Sequence, residues 1–131
     1  MTVEQTMFHN SIAWQKSMDL ATLVYAATGS GFPKQEIFGL TNQLRRASVS
    51  IPSNIAEGKG RSSSGELLHF LGIARGSTLE VQTQLELALR LGFGSREELQ
   101  SAKDLAMEIS RILNASIATL RSRQAAKSRK I

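Results

Sequence analysis

The sequence predicts an all-α fold, an up-down-up-down four-helix bundle, and three observations carry that reading. Apolar residues recur at helical spacing in four stretches of the 131-residue chain. Short breakers rich in glycine, serine and proline separate the stretches. No segment alternates apolar and polar residues as a half-buried strand would. Long helices joined by short loops pack as antiparallel neighbours. The chain divides into an N-terminal arm at 1–11, a bundle at 12–120 and a basic tail at 121–131.

In the first helix Trp14, Met18, Ala21, Tyr25 and Thr28 follow a 4-3-4-3 spacing, and Leu20, Val24 and Ala27 widen the face. Trp14 and Tyr25 are read as packing residues. Gly29 to Pro33 ends the helix, because glycine accepts left-handed dihedrals and proline cannot continue the ladder. The second helix carries Ile37, Leu40, Leu44, Ser48, Ile51 and Ile55 in phase. Pro52 removes a backbone donor and disfavours helical geometry at Ile51. The apolar phase nevertheless survives across it, so the spacing predicts one helix kinked at Pro52. Gly58 to Ser62 is the next breaker.

Ser63 and Glu66 have the spacing of a capping box and open the third helix. Leu67, Leu71, Ala74, Thr78, Val81, Leu85 and Ala88 form its inner face. Phe70, Ile73, Leu87 and Leu91 make a second apolar stripe, more than one bundle core needs, which predicts burial against another subunit. Ser95 and Glu98 repeat the cap for a fourth helix with Leu99, Ala102, Ala106, Ile109, Leu113, Ser116 and Leu120 inside. Beyond Leu120 the period dissolves into Ser, Ala, Lys and Arg, which predicts a solvated, disordered tail.

Charge is unevenly placed. The net charge is +5, and Arg121, Arg123, Lys127, Arg129 and Lys130 account for all of it, since eleven basic and eleven acidic residues balance over 1–120. Within the body, 34–75 is locally +3 and 76–120 is −2. A neutral body with a basic band and tail suits an anionic partner. The absence of cysteine excludes disulfides, zinc–cysteine sites and thiol nucleophiles. The polar first ten residues lack a signal-peptide layout, and no stretch reaches the roughly 20 apolar residues of a membrane span. A soluble cytoplasmic protein without membrane contact is expected.

Several motifs carry two readings. The loop from Gly58 to Gly65 is either a glycine turn with a helix cap or a phosphate contact aided by Lys59 and Arg61. Lacking a Gly-Lys-Ser/Thr triplet, it is not a Walker A motif. Arg45 and Arg46 are candidates either for nucleic-acid backbone contact or for a subunit seam. Asn54, Glu57 and Arg75 are read as a structural polar network, Glu57 meeting Arg75 or Arg46 on a neighbouring helix or subunit. Glu66 and His69 have the Glu-x-x-His spacing of four-helix di-iron sites. Such a site needs two copies and further glutamates, so no metal or other cofactor is expected. Without a base and orienting carboxylate at recognisable spacing, no catalytic residue is assigned.

The run from Gln43 to Gly58, with Gly60-Arg61-Ser62-Ser63 and Ile73-Ala74-Arg75-Gly76-Ser77, resembles the bacterial four-helix bundle family of intervening-sequence proteins encoded within large-subunit ribosomal RNA genes. That family includes the accessory variability determinant of diversity-generating retroelements, and the resemblance spans about Trp14 to Phe93. It implies a homo-oligomer, a ring of five with a central channel, and in the retroelement members binding of nucleic acid and of a reverse transcriptase. The expectation is a non-catalytic oligomer that binds RNA or DNA in an RNA-chaperone-like or accessory role. Its contacts would come from Arg45, Arg46, Lys59, Arg61 and the tail cations, by phosphate neutralisation without an exposed aromatic platform. The alternative is a structural or adaptor oligomer that docks a protein partner.

Overall fold

The computed structural model describes residues 8–129, which hold four long α-helices and one short 3-10 turn. They are α1 (Ile12–Gly29), the turn Lys34–Phe38, α2 (Leu40–Lys59), α3 (Ser64–Leu91) and α4 (Arg96–Arg129). Each helix packs on two others in the cyclic order α1, α2, α3, α4, with none across the diagonal. Four-residue loops join α2 to α3 and α3 to α4, and such short links force antiparallel packing. The α1–α2 and α3–α4 loops meet at one end, where the Gly94 amide donates to the Gly31 carbonyl at 3.0 Å. Both glycines have positive φ, and a Cβ on Gly31 would stand 2.8 Å from the Gly94 Cα. Only residues without side chains allow that approach.

Ser11 caps α1, its Oγ accepting the Trp14 amide at 3.2 Å. The inner face differs from the expected one. Ala13, Ser17, Leu20, Val24 and Ala27 point inward, whereas Met18 and Tyr25 are 43% and 47% exposed. Both faces of α1 are apolar, so spacing does not choose between them; the face with small Ala13, Ser17 and Ala27 admits closer neighbours. Trp14 remains a packing residue, half-buried against the core, with the Phe8 and His9 rings 5.1 and 5.0 Å from its own. Tyr25 does not.

The start of α2 also moves. Ile37 lies in the 3-10 turn and is half exposed, and Phe38 is 91% exposed. The Glu36 carboxylate accepts the Leu40 amide at 2.9 Å, so the helix opens after Ile37. From Leu40 it runs unbroken through Pro52, keeping Ile51 and Ile55 fully buried. The apolar phase across the proline therefore holds. Gly58 lies against α3, where an added Cβ would approach the Phe70 Cβ to 2.9 Å and a Leu67 methyl to 3.1 Å.

The caps of α3 and α4 form as the spacing predicts. Ser63 accepts the Glu66 amide at 3.2 Å, and Ser95 accepts the Glu98 amide at 3.3 Å. Leu71, Ala74, Thr78, Val81, Leu85 and Ala88 are buried in α3, with Leu67 at its margin. In α4 Ile117 is buried in place of the expected Ser116, a spacing of four rather than three after Leu113, and Leu120 packs partly buried at the margin. Three buried hydroxyls are satisfied within their own helices: Ser17 donates to the Trp14 carbonyl, Ser48 to that of Arg45 and Thr78 to that of Arg75.

The tail is the largest departure. Residues 121–129 continue α4 as exposed helix, while Lys130 and Ile131 lie outside the described residues. An established helix adds turns without a new nucleation cost, and Arg, Gln, Ala and Lys are strong helix formers. Lys127 and Arg129 also sit favourably at the negative end of the helix dipole. Nine residues past Leu120 extend α4 by about 13 Å at 1.5 Å per residue.

Candidate nucleic-acid interface

Antiparallel packing brings the C-termini of α2 and α4 and the N-terminus of α3 to one end of the bundle. Lys59 ends α2, Arg61 lies in the following loop, and Arg121, Arg123, Lys127 and Arg129 stand on the exposed turns of α4. Lys59 and Arg123 line one groove of about 400 Å³ with Leu67, Leu71, Thr119 and Leu120. Among the described residues, Lys59, Arg121, Arg123, Lys127 and Arg129 form no ion pair within 4.0 Å.

Arg61 differs from these cations. Its guanidinium is 2.8 Å from the Glu57 carboxylate and 3.6 Å from that of Glu66, and it stacks over the Phe70 ring at 5.0 Å. Ser63 Oγ also donates to Glu66 at 3.2 Å. The Gly58 to Gly65 loop is thus a capped turn whose arginine and serine serve its own chain.

Arg45 and Arg46 lie nearer the opposite end. Arg45 donates from Nε to Thr28 Oγ1 at 2.9 Å and covers the Tyr25 ring at 4.6 Å, so it ties α2 to α1. Arg46 is exposed and unpaired among the described residues, in a polar groove of about 370 Å³ with Asn42, Ser50, Ser77, Glu80 and Gln84. Neighbours in sequence, the two arginines part in role.

The expected network of Asn54, Glu57 and Arg75 does not form within the chain. Glu57 pairs with Arg61, and Arg75 donates to Asn114 of α4 at 3.4 Å. Asn54 instead bonds the Ser50 carbonyl and hydroxyl at 2.8 and 3.0 Å, and the Ser50 hydroxyl meets that of Ser77 at 2.9 Å. The α2–α3 seam is therefore joined through serines that spacing did not single out, because their meeting depends on helix register.

Two surfaces are apolar. A groove of about 610 Å³ runs between α1 and α2, walled by Trp14, Met18, Tyr25, Val49, Pro52 and Ala56. On α3, Ile73, Leu87 and Leu91 are 40–53% exposed, but Glu80 and Gln84 fall on the same face between them. The second stripe is therefore interrupted. Exposed Phe38 and Tyr25 also overturn the expectation that no aromatic ring is accessible. Both lie on the α1–α2 side, away from the cluster of unpaired cations.

Among the described residues Glu86 is the one carboxyl with a resolved shift: hydrogen bonds from Lys103 and Arg90, and the Lys103 charge, hold it below the usual carboxylate range. The Lys103 contact joins α3 to α4, whereas Arg90 lies one turn along α3 at 3.4 Å. Among the described residues no three His, Cys, Asp or Glu side chains converge on a metal position. No helix there is long and apolar enough to cross a membrane.

The sequence profile described as 23S rRNA-intervening sequence protein matches residues 9–115. A crystal structure from Bacteroides thetaiotaomicron, of a protein with unknown function from the S23 ribosomal protein family, superposes with a TM-score of 0.72 at 27% identity. The match covers 81% of this chain and 98% of that one. No curated protein matches the sequence.

Proposed function

The chain belongs to the 23S rRNA-intervening sequence protein family, and on that premise we propose that it is a non-catalytic bundle protein binding the phosphate backbone of nucleic acid through its basic end. One observation carries the reading. Lys59, Arg121, Arg123, Lys127 and Arg129 gather at one end without acidic partners among the described residues, four of them on turns that contribute nothing to the core. Arg61 by contrast would have to exchange its contacts with Glu57 and Glu66 for a phosphate. Unpaired cations on a rigid extension release counterions when they meet a nucleic-acid backbone.

The same reading has the protein working as a homo-oligomer, a pentamer by the family resemblance, in a chaperone-like or accessory role. The apolar α1–α2 groove supports self-association. That groove also favours the second reading, an adaptor that docks a protein such as a reverse transcriptase and uses its cations only for solubility. Fluorescence anisotropy with labelled RNA and DNA across a salt series separates the two. Nucleic-acid binding predicts affinity that falls steeply with salt; no binding at low salt leaves the adaptor in front. Sedimentation equilibrium tests assembly, and a monomer at micromolar concentration would reject the oligomer.

A further inference from the structure

We propose that the groove between the end of α2, the start of α3 and the last packed turns of α4 takes a single nucleic-acid strand, with Lys59 and Arg123 holding its backbone from opposite walls. The proposal rests on the nucleic-acid reading and turns a basic end into a strand-selective site.

The lining is suited to this ligand. Lys59 and Arg123 come from different helices, no carboxylate among the described residues lines the groove, and the partly buried Leu67 and Leu120 supply apolar wall between the cations. Residues 116, 119, 120 and 123 share a helix face by their three- and four-residue spacing, and Lys127 continues that face one turn on. Lys127 is about 6 Å further along the axis, so a strand leaving the groove along α4 meets a third cation. Arg121 and Arg129 fall on the other side of the helix and stand clear of the groove.

Shape decides the strand. The groove holds only about 400 Å³ between three helix ends, too little for a rod as thick as a duplex to enter. A duplex is a stiff rod that cannot enter such a cleft, and its phosphates meet only cations that stand clear of the surface. A single strand bends into it, and its unpaired bases and sugars lie against the leucine walls. Arg121 and Arg129 are open to either form.

The test uses the full chain and one labelled oligonucleotide sequence, as RNA and as DNA, each alone and annealed to its complement. The double variant Lys59→Ala/Arg123→Ala should weaken single-strand binding about tenfold or more, while duplex binding changes less than about twofold; the single-strand salt slope should fall by about 1.4 for two lost contacts. Arg121→Ala/Arg129→Ala should weaken both forms alike. Equal losses on both forms from the groove variant, or no loss from it while the intact protein binds, would overturn the groove and leave the broader reading standing. Intact protein that binds neither form removes both. Lys59 and Arg123 are exposed, so the fold should survive. If circular dichroism shows otherwise, Arg123→Ala alone replaces the double variant with the same criteria, and Arg123→Lys should restore most single-strand binding.

Discussion

Ile55→Ala tests whether the helical phase truly crosses Pro52. Ile55 lies less than one turn beyond the proline with no exposed surface. Truncation removes three carbons, and at about 0.8 kcal/mol each the lost transfer energy is about 2.4 kcal/mol. Neighbouring helices close only part of the gap. A residual cavity on the order of 50 Å³ adds about 1.2 kcal/mol at roughly 24 cal/mol per Å³. The expected cost is therefore about 3.5 kcal/mol. Val49→Ala is the control: Val49 is on the same helix but 42% exposed, and its truncation should cost less than about 1 kcal/mol. The assay is guanidinium unfolding followed by circular dichroism at fixed protein concentration, because self-association would make the midpoint depend on concentration. The midpoint should fall with the slope unchanged. A cost below about 0.5 kcal/mol, or one equal to that of Val49→Ala, would refute the buried phase beyond the proline.

Gly58→Ala should destabilise by about 1–3 kcal/mol through overpacking against Phe70 and Leu67, although alanine is the better helix former by about 1 kcal/mol; an unchanged or raised unfolding midpoint would mean that α2 and α3 separate freely there. Glu86 has a lowered folded-state pKa, so its contribution is present above the unfolded carboxylate value and is lost as pH falls through the folded one. Unfolding titrations from neutrality down to below the ordinary carboxylate range should therefore show wild type more stable than Glu86→Gln at neutrality and the gap closing at the acid end; a constant gap would reject the pairing with Lys103. Deleting residues 121–131 removes five cations and brings the net charge to zero, yet the last buried position is Ile117, so the bundle should fold with its helical spectrum reduced only by the lost turns. Any nucleic-acid affinity should then lose salt dependence by up to about 0.9 in slope per duplex phosphate contact removed, and an unchanged slope would assign binding to the folded body. Arg45→Ala should lower the unfolding midpoint by loosening the α1–α2 contact, whereas Arg46→Ala should leave it nearly unchanged; equal effects would contradict the different roles of the two arginines.

The helices and their caps were legible in the sequence because they depend on local periodicity and on side chains three residues apart. Leu44, Ile51 and Ile55 fall into the core on spacing alone, and Ser63 and Ser95 cap the helices that their neighbours announce. The acid-free run after Glu108 likewise identified a basic C-terminus. Tertiary structure decided what local pattern leaves degenerate. It chose between two apolar faces of α1, exposing Tyr25 and burying Ser17, because the closest packing is set by neighbouring helices. It separated Arg45 from Arg46, since the Thr28 hydroxyl and Tyr25 ring that engage Arg45 lie 17 and 20 residues away in sequence. Antiparallel packing brought Lys59 into one groove with Arg123, 64 residues on. Periodicity reports which residues share a helix face; only the register and direction of packed helices determine which charges from different helices meet.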